Sequence, residues 1–376
     1  MTFRNFGTPP PRRILMTVDA VGGVWRYALN LVRGLRRHGV DVVLVGCGPQ
    51  PDERQVAEAH DAHALVWLDQ PLDWMADRPE ELAGLTALLA GLGDEYDVDL
   101  LHLNLPTQAA GIETERPVLV VSHSCVVSWF ATVRNSPLPA DWDWLERLNR
   151  SGFDRADAVV VPSAAHGDLL TACYGRLPGL VTIHNGDDPV VAGAAREAYV
   201  FSAGRWWDEG KNGGVLDRAA AAVSWPVITA GANIGPSGDG MVFENTRHLG
   251  RLSPGETLAL ADRAAVFVSP SLYEPFGLAV LEAAARGAAL VLSDIPTFRE
   301  LWDGAALFAD PADAGSFADA MERLVRDGDL RRTLADEAGR RAGALTLERQ
   351  AARTVELYRR LAPSVSEPVR MAGGAA

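Results

Sequence analysis

Short apolar runs, each followed by a turn and then a helical pattern, recur along this chain and leave it few folds to adopt. They occupy residues 14–18, 40–45, 65–68, 100–103, 118–121, 158–161, 180–183, 199–203, 227–230, 265–268 and 289–292. The runs are continuous rather than alternating, which is the pattern of strands buried on both faces, and such strands need helices on either side of a parallel sheet. With 376 residues, two domains of ordinary size are expected. The break falls after His184-Asn185-Gly186, where residues 187–198 hold Pro, Gly and small residues without apolar periodicity. The fold class is therefore α/β, with two doubly wound parallel-sheet domains at 1–190 and 191–345. Amphipathic helices are expected at 314–326, 330–342 and 346–362, the last carrying Leu347, Ala351, Leu357 and Leu361, and a mobile tail at 363–376.

Chemistry concentrates in Ser269-Pro270-Ser271-Leu272-Tyr273-Glu274-Pro275-Phe276-Gly277-Leu278, which joins a strand to a helix ending at Arg286-Gly287. Pro275 suits a first helical turn, so the N–H groups of Phe276, Gly277 and Leu278 should be free and should point together at an anion or sugar oxygen. Glu274 either caps that helix or faces a ligand. Glu282 lies on the edge of the inward stripe formed by Leu278, Leu281 and Ala285; it either binds the two hydroxyls of a ribose or pairs with Arg286 one turn on. Arg205 and Lys211 follow the 199–203 strand and suit a diphosphate, although Asp208 and Glu209 between them also fit a charged surface. Gly22-Gly23 after the first strand is a tight turn or a ligand loop, and His123 at the end of 118–121 is structural or ligand-facing.

Other features narrow the classes. A net charge of -14 and a pI near 5.0 argue against a nucleic-acid partner. The cluster Arg33, Arg36, Arg37 and His38 reads as a solvated helix face rather than a membrane or acidic-acceptor contact. Cys47, Cys125 and Cys173 lack metal-ligand spacing, which suggests reduced thiols and a cytoplasmic location, and no apolar run is long enough to span a bilayer. Asp97-Val98-Asp99, Asp141-Trp142-Asp143 and Asp327-Gly328-Asp329 match a short Asp-x-Asp pattern, none on the expected cleft edge, so no metal site is expected. Trp129, Phe130, Trp142 and Trp144 form an aromatic segment that packs as a helix pair or offers flat faces to sugar C–H bonds. A glycine-rich loop, 231–240, and a capping box, Ser253-Pro254-Gly255-Glu256, follow later.

Glu274-Pro275-Phe276-Gly277 with Glu282, Ala283, Ala284 and Gly287, flanked by Val268-Ser269-Pro270-Ser271, Ser293-Asp294-Ile295 and Arg299-Glu300-Leu301, resembles the signature of retaining glycosyltransferases of family 4. The resemblance implies the GT-B arrangement, two Rossmann-like domains facing a cleft, with the last helix crossing back to the first domain. It implies that Glu274 and His123 lie by the donor sugar, and that the amides of Phe276, Gly277 and Leu278 meet sugar and phosphate. It likewise places Glu282 on the ribose, Gly22 and Gly23 by the donor phosphate and acceptor, Arg251 and Leu252 near the base, and Arg205 and Lys211 on the leaving diphosphate. One departure stands out: Asn212 follows Lys211 where many members have Gly. The expected activity is hexosyl transfer with retention from a nucleotide sugar to a hydroxyl acceptor, without metal or other cofactor. Rival readings are a nucleotide-sugar epimerase or phosphorylase on the same fold, or a non-catalytic nucleotide-sugar-binding protein.

Overall fold

The computed structural model describes residues 9–188, 195–235, 238 and 240–361. The expected tail, 363–376, lies outside them, as do parts of the expected linker (189–194) and of the glycine-rich loop (236, 237 and 239). Strands β1 (Arg13–Asp19), β2 (Asp41–Cys47), β3 (Ala64–Trp67), β4 (Leu100–Leu103), β5 (Val118–Val121), β6 (Ala158–Val161) and β7 (Leu180–Thr182) form a parallel sheet in the order β3-β2-β1-β4-β5-β6-β7. A second parallel sheet contains β8 (Glu197–Ala203), β9 (Val227–Ala230), β10 (Arg247–His248), β11 (Ala264–Ser269), β12 (Ala289–Ser293) and β13 (Ala306–Ala309), ordered β10-β9-β8-β11-β12-β13. Helices cover both faces of each sheet, which is why Ile14 to Val18 and Val266 to Val268 are all buried and why these runs are apolar without alternation.

In such sheets a crevice opens at the carboxyl ends of the strands where the order reverses. The reversal lies between β1 and β4 in the first sheet and between β8 and β11 in the second. The loops leaving those strands carry Asp19 to Gly23 and Asn104, and Gly204 to Lys211 and Ser271 to Gly277. The sheet topology alone thus places both candidate loop sets at crevices.

The lobes are joined twice. Asp187 pairs with Thr346, its N–H donates to the Leu345 carbonyl (3.2 Å), and its own carbonyl accepts from Leu347 (3.0 Å). A Cβ on Gly186 would stand 2.2 Å from the Thr346 carbonyl oxygen, so glycine is what allows the two connections to run backbone against backbone. The final helix, Leu347–Leu361, then packs Ala351, Val355, Leu357 and Tyr358 into the core of the first lobe beside the helix Gly23–Arg37.

Three readings of the sequence need correction. The helix after Glu274 begins at Leu278, not at Pro275: Gly277 is its N-cap in the left-handed region (φ 91°), a conformation that ends any helical path from Pro275. Strands β10 and β13 were not expected; one is two residues long and the other sits at the sheet edge. Arg286 donates to the main-chain carbonyl of Glu282 (2.9 Å), not to its carboxylate. Each residue of the basic helix face has an acidic neighbour: Asp188 for Arg33 and Arg37 (3.3 Å each), Asp61 for Arg36 (2.6 Å) and Glu348 for His38 (3.1 Å). No described helix is long and apolar enough to cross a membrane.

Candidate active site

The loop after β8 is shaped around its two cations. Asp208 caps a single 3-10 turn, Glu209–Lys211, by accepting from the Gly210 N–H (2.9 Å), and Asn212 leaves that turn in the left-handed region (φ 55°). The departure at 212 is thereby explained. The position needs a positive φ, which glycine adopts freely and asparagine tolerates, and the Asn212 amide adds bonds to the carbonyls of Pro270 (3.0 Å) and Pro311 (2.8 Å).

The turn delivers Lys211 Nζ to within 2.5 Å of Glu274 Oε2. Glu274 Oε1 accepts from no described residue. Next to it the backbone N–H groups of Phe276, Gly277 and Leu278 donate to no acceptor among the described residues. Phe276 and Gly277 are buried, and unpaired N–H groups at or just before a helix start suit an anion or a sugar oxygen.

The first lobe closes the other side. A Cβ on Gly22 would lie 3.2 Å from Arg205 Nη1, and one on Gly23 would lie 3.7 Å from Leu278 Cδ1, so the Gly-Gly turn touches both the arginine and the helix start. One turn further along each helix, Arg26 Nη2 stands 3.7 Å from Glu282 Oε1. Burial is the main influence on Glu282 and raises its carboxyl above the ordinary value; Arg26 pulls it back, while Asp187 adds to the rise. Gly22, Gly23, Arg205, Lys211, Glu274, Phe276, Gly277, Leu278 and Glu282 are therefore one assembly. Arg251 and Leu252 follow β10; the Gly250 carbonyl beside them accepts from the N–H of Gly231 (2.8 Å), which packs against Gly204, while Leu252 packs on the second lobe's core and Arg251 is exposed.

His123 stands at the end of β5, with Nε2 2.8 Å from Asn104 Oδ1. Asn104 spends its own amide N–H on the Thr17 carbonyl (2.5 Å), which leaves its oxygen toward His123. Nε2 must therefore carry the proton, and Nδ1 holds a lone pair. Burial, then the neighbouring His102 and His166, push the imidazole down to about 3, so the ring is neutral near pH 7. The Tyr27 ring braces it edge-on at 4.2 Å between centroids. Two residues on, the Cys125 N–H donates to Tyr273 Oη (3.0 Å), which ties this strand end to the residue preceding Glu274.

Further contacts hold the lobes together. Ser163 Oγ donates to the Pro275 carbonyl (2.6 Å), and Glu300 accepts from the N–H groups of Ala164 (2.9 Å) and Ala165 (2.8 Å) and from His184 (3.0 Å). In the aromatic segment, Phe130 lies edge-on to both Trp129 and Trp142, and Trp144 is buried. The Asp-x-Asp pairs do other work: Asp97 and Asp99 bind Arg12 at the amino edge of the first sheet, and Asp327 caps the helix Gly328–Ala342. Among the described residues, no three His, Cys, Asp or Glu side chains converge as metal ligands do.

One compositional signal for the site went unread. Lys211 is the only lysine in the chain; the remaining basic residues among the 35 Lys and Arg are all arginine. Arg26 and Asp208 carried no such signal, because their partners come from the other lobe.

Family models for "Glycosyltransferase Family 4" and "Glycosyl transferases group 1" match residues 21–190 and 241–341. A D-inositol 3-phosphate glycosyltransferase of Corynebacterium jeikeium is 31% identical, with 95% of this chain and 96% of that protein aligned. The chain belongs to glycosyltransferase family 4. This family 4 enzyme is also 27% identical to a glycogen synthase of Mycobacterium tuberculosis, over 82% of the chain and 83% of that protein. In fold the glycosyltransferase matches the sucrose-phosphate synthase of Thermosynechococcus elongatus (TM-score 0.77, 20% identity, 93% and 99% covered). It also matches Anabaena HepE in complex with UDP-glucose (TM-score 0.71, 18% identity, 92% and 99% covered). Its two sheets are those of the GT-B architecture, and it is a hexosyltransferase-type enzyme.

Proposed function

We propose that this enzyme transfers a hexosyl group, with retention at the anomeric carbon, from a nucleotide diphosphate sugar to a hydroxyl acceptor, and that it needs no metal to do so. The observation that carries the reading is the Lys211 to Glu274 pair at 2.5 Å beside the unpartnered amides of Gly277 and Leu278. Lys211, Arg205 and those amides are the positive groups we assign to the charge that develops on a departing diphosphate. The free Oε1 of Glu274 and the neutral His123 offer acceptors to sugar hydroxyls, and Glu282 offers a carboxyl to the ribose diol. HepE, solved with UDP and with UDP-glucose, supports a uridine diphosphate sugar as the first donor to try.

The reading assigns retention to a front-face route rather than to the paired carboxylates of a double-displacement hydrolase. The acceptor hydroxyl then attacks from the face the phosphate leaves, and the departing phosphate oxygen takes the hydroxyl proton. Cations already in place supply the charge that a divalent ion would otherwise bring. A panel of nucleotide sugars, scored first by thermal shift and then by nucleoside diphosphate release with and without EDTA, tests this. One donor should raise the melting temperature, turn over with an acceptor in chelator and give a product of unchanged anomeric configuration. Activity lost in EDTA and restored by magnesium would refute metal independence. An epimerised donor, or phosphate-dependent cleavage, would establish one of the rival enzymes.

A further inference from the structure

Asp208 and Glu209 look in the sequence like surface charges between two functional cations. In the fold they meet the opposite lobe. Trp129 Nε1 donates to Asp208 Oδ1 (3.0 Å), the same oxygen that accepts from Gly210 and so shapes the turn carrying Lys211. The indole also covers that turn: a Cβ on Gly210 would lie 2.8 Å from Trp129 Nε1. From the other side the Gly210 carbonyl accepts from the Leu272 N–H (2.8 Å), two residues before Glu274. Arg134 completes the contact by bonding Glu209 through two nitrogens while its guanidinium lies 5.3 Å from the Trp129 ring centre and 5.0 Å from that of Phe130. Trp129 precedes and Arg134 ends a single π-helical turn, Phe130–Arg134.

We propose that Trp129 is a positioning residue for Lys211: its indole N–H, supplied by the first lobe, fixes Asp208 and through it the turn that holds the lysine against Glu274. The inference rests on the reading of Lys211 as the cation of the leaving diphosphate. It explains why the turn has glycine at 210, since any side chain there would displace the indole. Asp208 Oδ2 also stands 3.8 Å from Arg205 Nη2, so one carboxylate connects the first lobe to both cations. Separation of the lobes withdraws the indole and loosens them together, and the diphosphate site is complete only when the lobes are closed.

Because Lys211 is the only lysine, an amine-selective acylating reagent followed by peptide mapping reports on this one side chain, apart from the chain's terminal amine. Trp129→Phe keeps a ring for Arg134 and Gly210 and removes only the donor. In ligand-free protein it should raise the rate of Lys211 acylation about tenfold and lower kcat by a similar factor, with KM for the donor unchanged, as expected for loss of one hydrogen bond to a charged group. Asp208→Asn retains an acceptor oxygen and should acylate near the wild-type rate, whereas Asp208→Ala should behave as Trp129→Phe. Wild-type kcat in Trp129→Phe overturns the proposal whichever way acylation moves, and so does an unchanged acylation rate. Should Lys211→Ala prove fully active, the reading of the lysine falls while the acylation comparison still decides whether Trp129 positions it.

Discussion

Lys211→Ala should lower kcat by about three orders of magnitude, the cost of removing a fixed charge aimed at the leaving group. The ammonium has a defined place: it stands 2.5 Å from Glu274 Oε2, on a turn capped by Asp208 and followed by the left-handed Asn212. Its aliphatic stem passes 3.8 Å from where a Cβ on Gly204 would lie. Lys211→Arg should recover little of the loss, because a broad planar fork cannot occupy a site built for a compact point charge. KM for the donor should change far less than kcat, since Arg205 and the amides of Gly277 and Leu278 remain to bind the ground state. Steady-state kinetics on both variants check this. Near-normal turnover in either would remove Lys211 from the chemistry.

The second large effect is on stability and is independent of the substrate. His102 is buried between the hydroxyls of Tyr27 (3.3 Å) and Tyr358 (2.6 Å), and His166 is buried against Ser122 Oγ (3.0 Å). Burial is the leading cause that pushes each imidazole down to about 3 from an ordinary 6.5. Between those two values the unfolded chain binds a proton at each ring and the native chain does not, so stability falls as pH drops below about 6.5. Each histidine contributes about 1.4 kcal/mol per pH unit in that window. Asp19, Asp73 and Glu282 act in the opposite sense, because burial raises their carboxyls and the native state holds their protons longer. A difference measurement cancels them. Urea unfolding of wild type and His166→Gln from pH 7 to 5 should show the variant losing about 1.4 kcal/mol less per unit below 6.5. Equal slopes would mean that His166 is protonated in the native state.

Much of this architecture is written locally. The apolar runs between 14 and 292 mark eleven of the strands; the central ones are buried on both faces, which leaves a continuous signature, while the edge strands β3 and β7 are only partly buried yet still apolar. Strand β13, Ala306–Ala309, is no less buried than β3 or β7, but half of it is alanine, a poor strand former, so its signal is weak. Glu274, Glu282, Arg205 and Lys211 could be picked out because they follow strand ends at recognisable spacing. Their partners could not. Trp129 reaches Asp208 across 79 residues and Cys125 reaches Tyr273 across 148, and nothing within either segment encodes the other. The helix start also misled for a physical reason: Pro275 suits a first turn, but Gly277 at φ 91° interrupts it, so the helix begins only at Leu278.

The account depends on a diphosphate lying against Lys211, and the single lysine makes this directly measurable. Acylation of Lys211 should be suppressed by a saturating nucleoside diphosphate and left unchanged by the corresponding nucleoside, with the terminal amine as internal control. Equal modification of Lys211 in both cases, under conditions where thermal shift shows the diphosphate bound, would place the ligand elsewhere and contradict the mechanism.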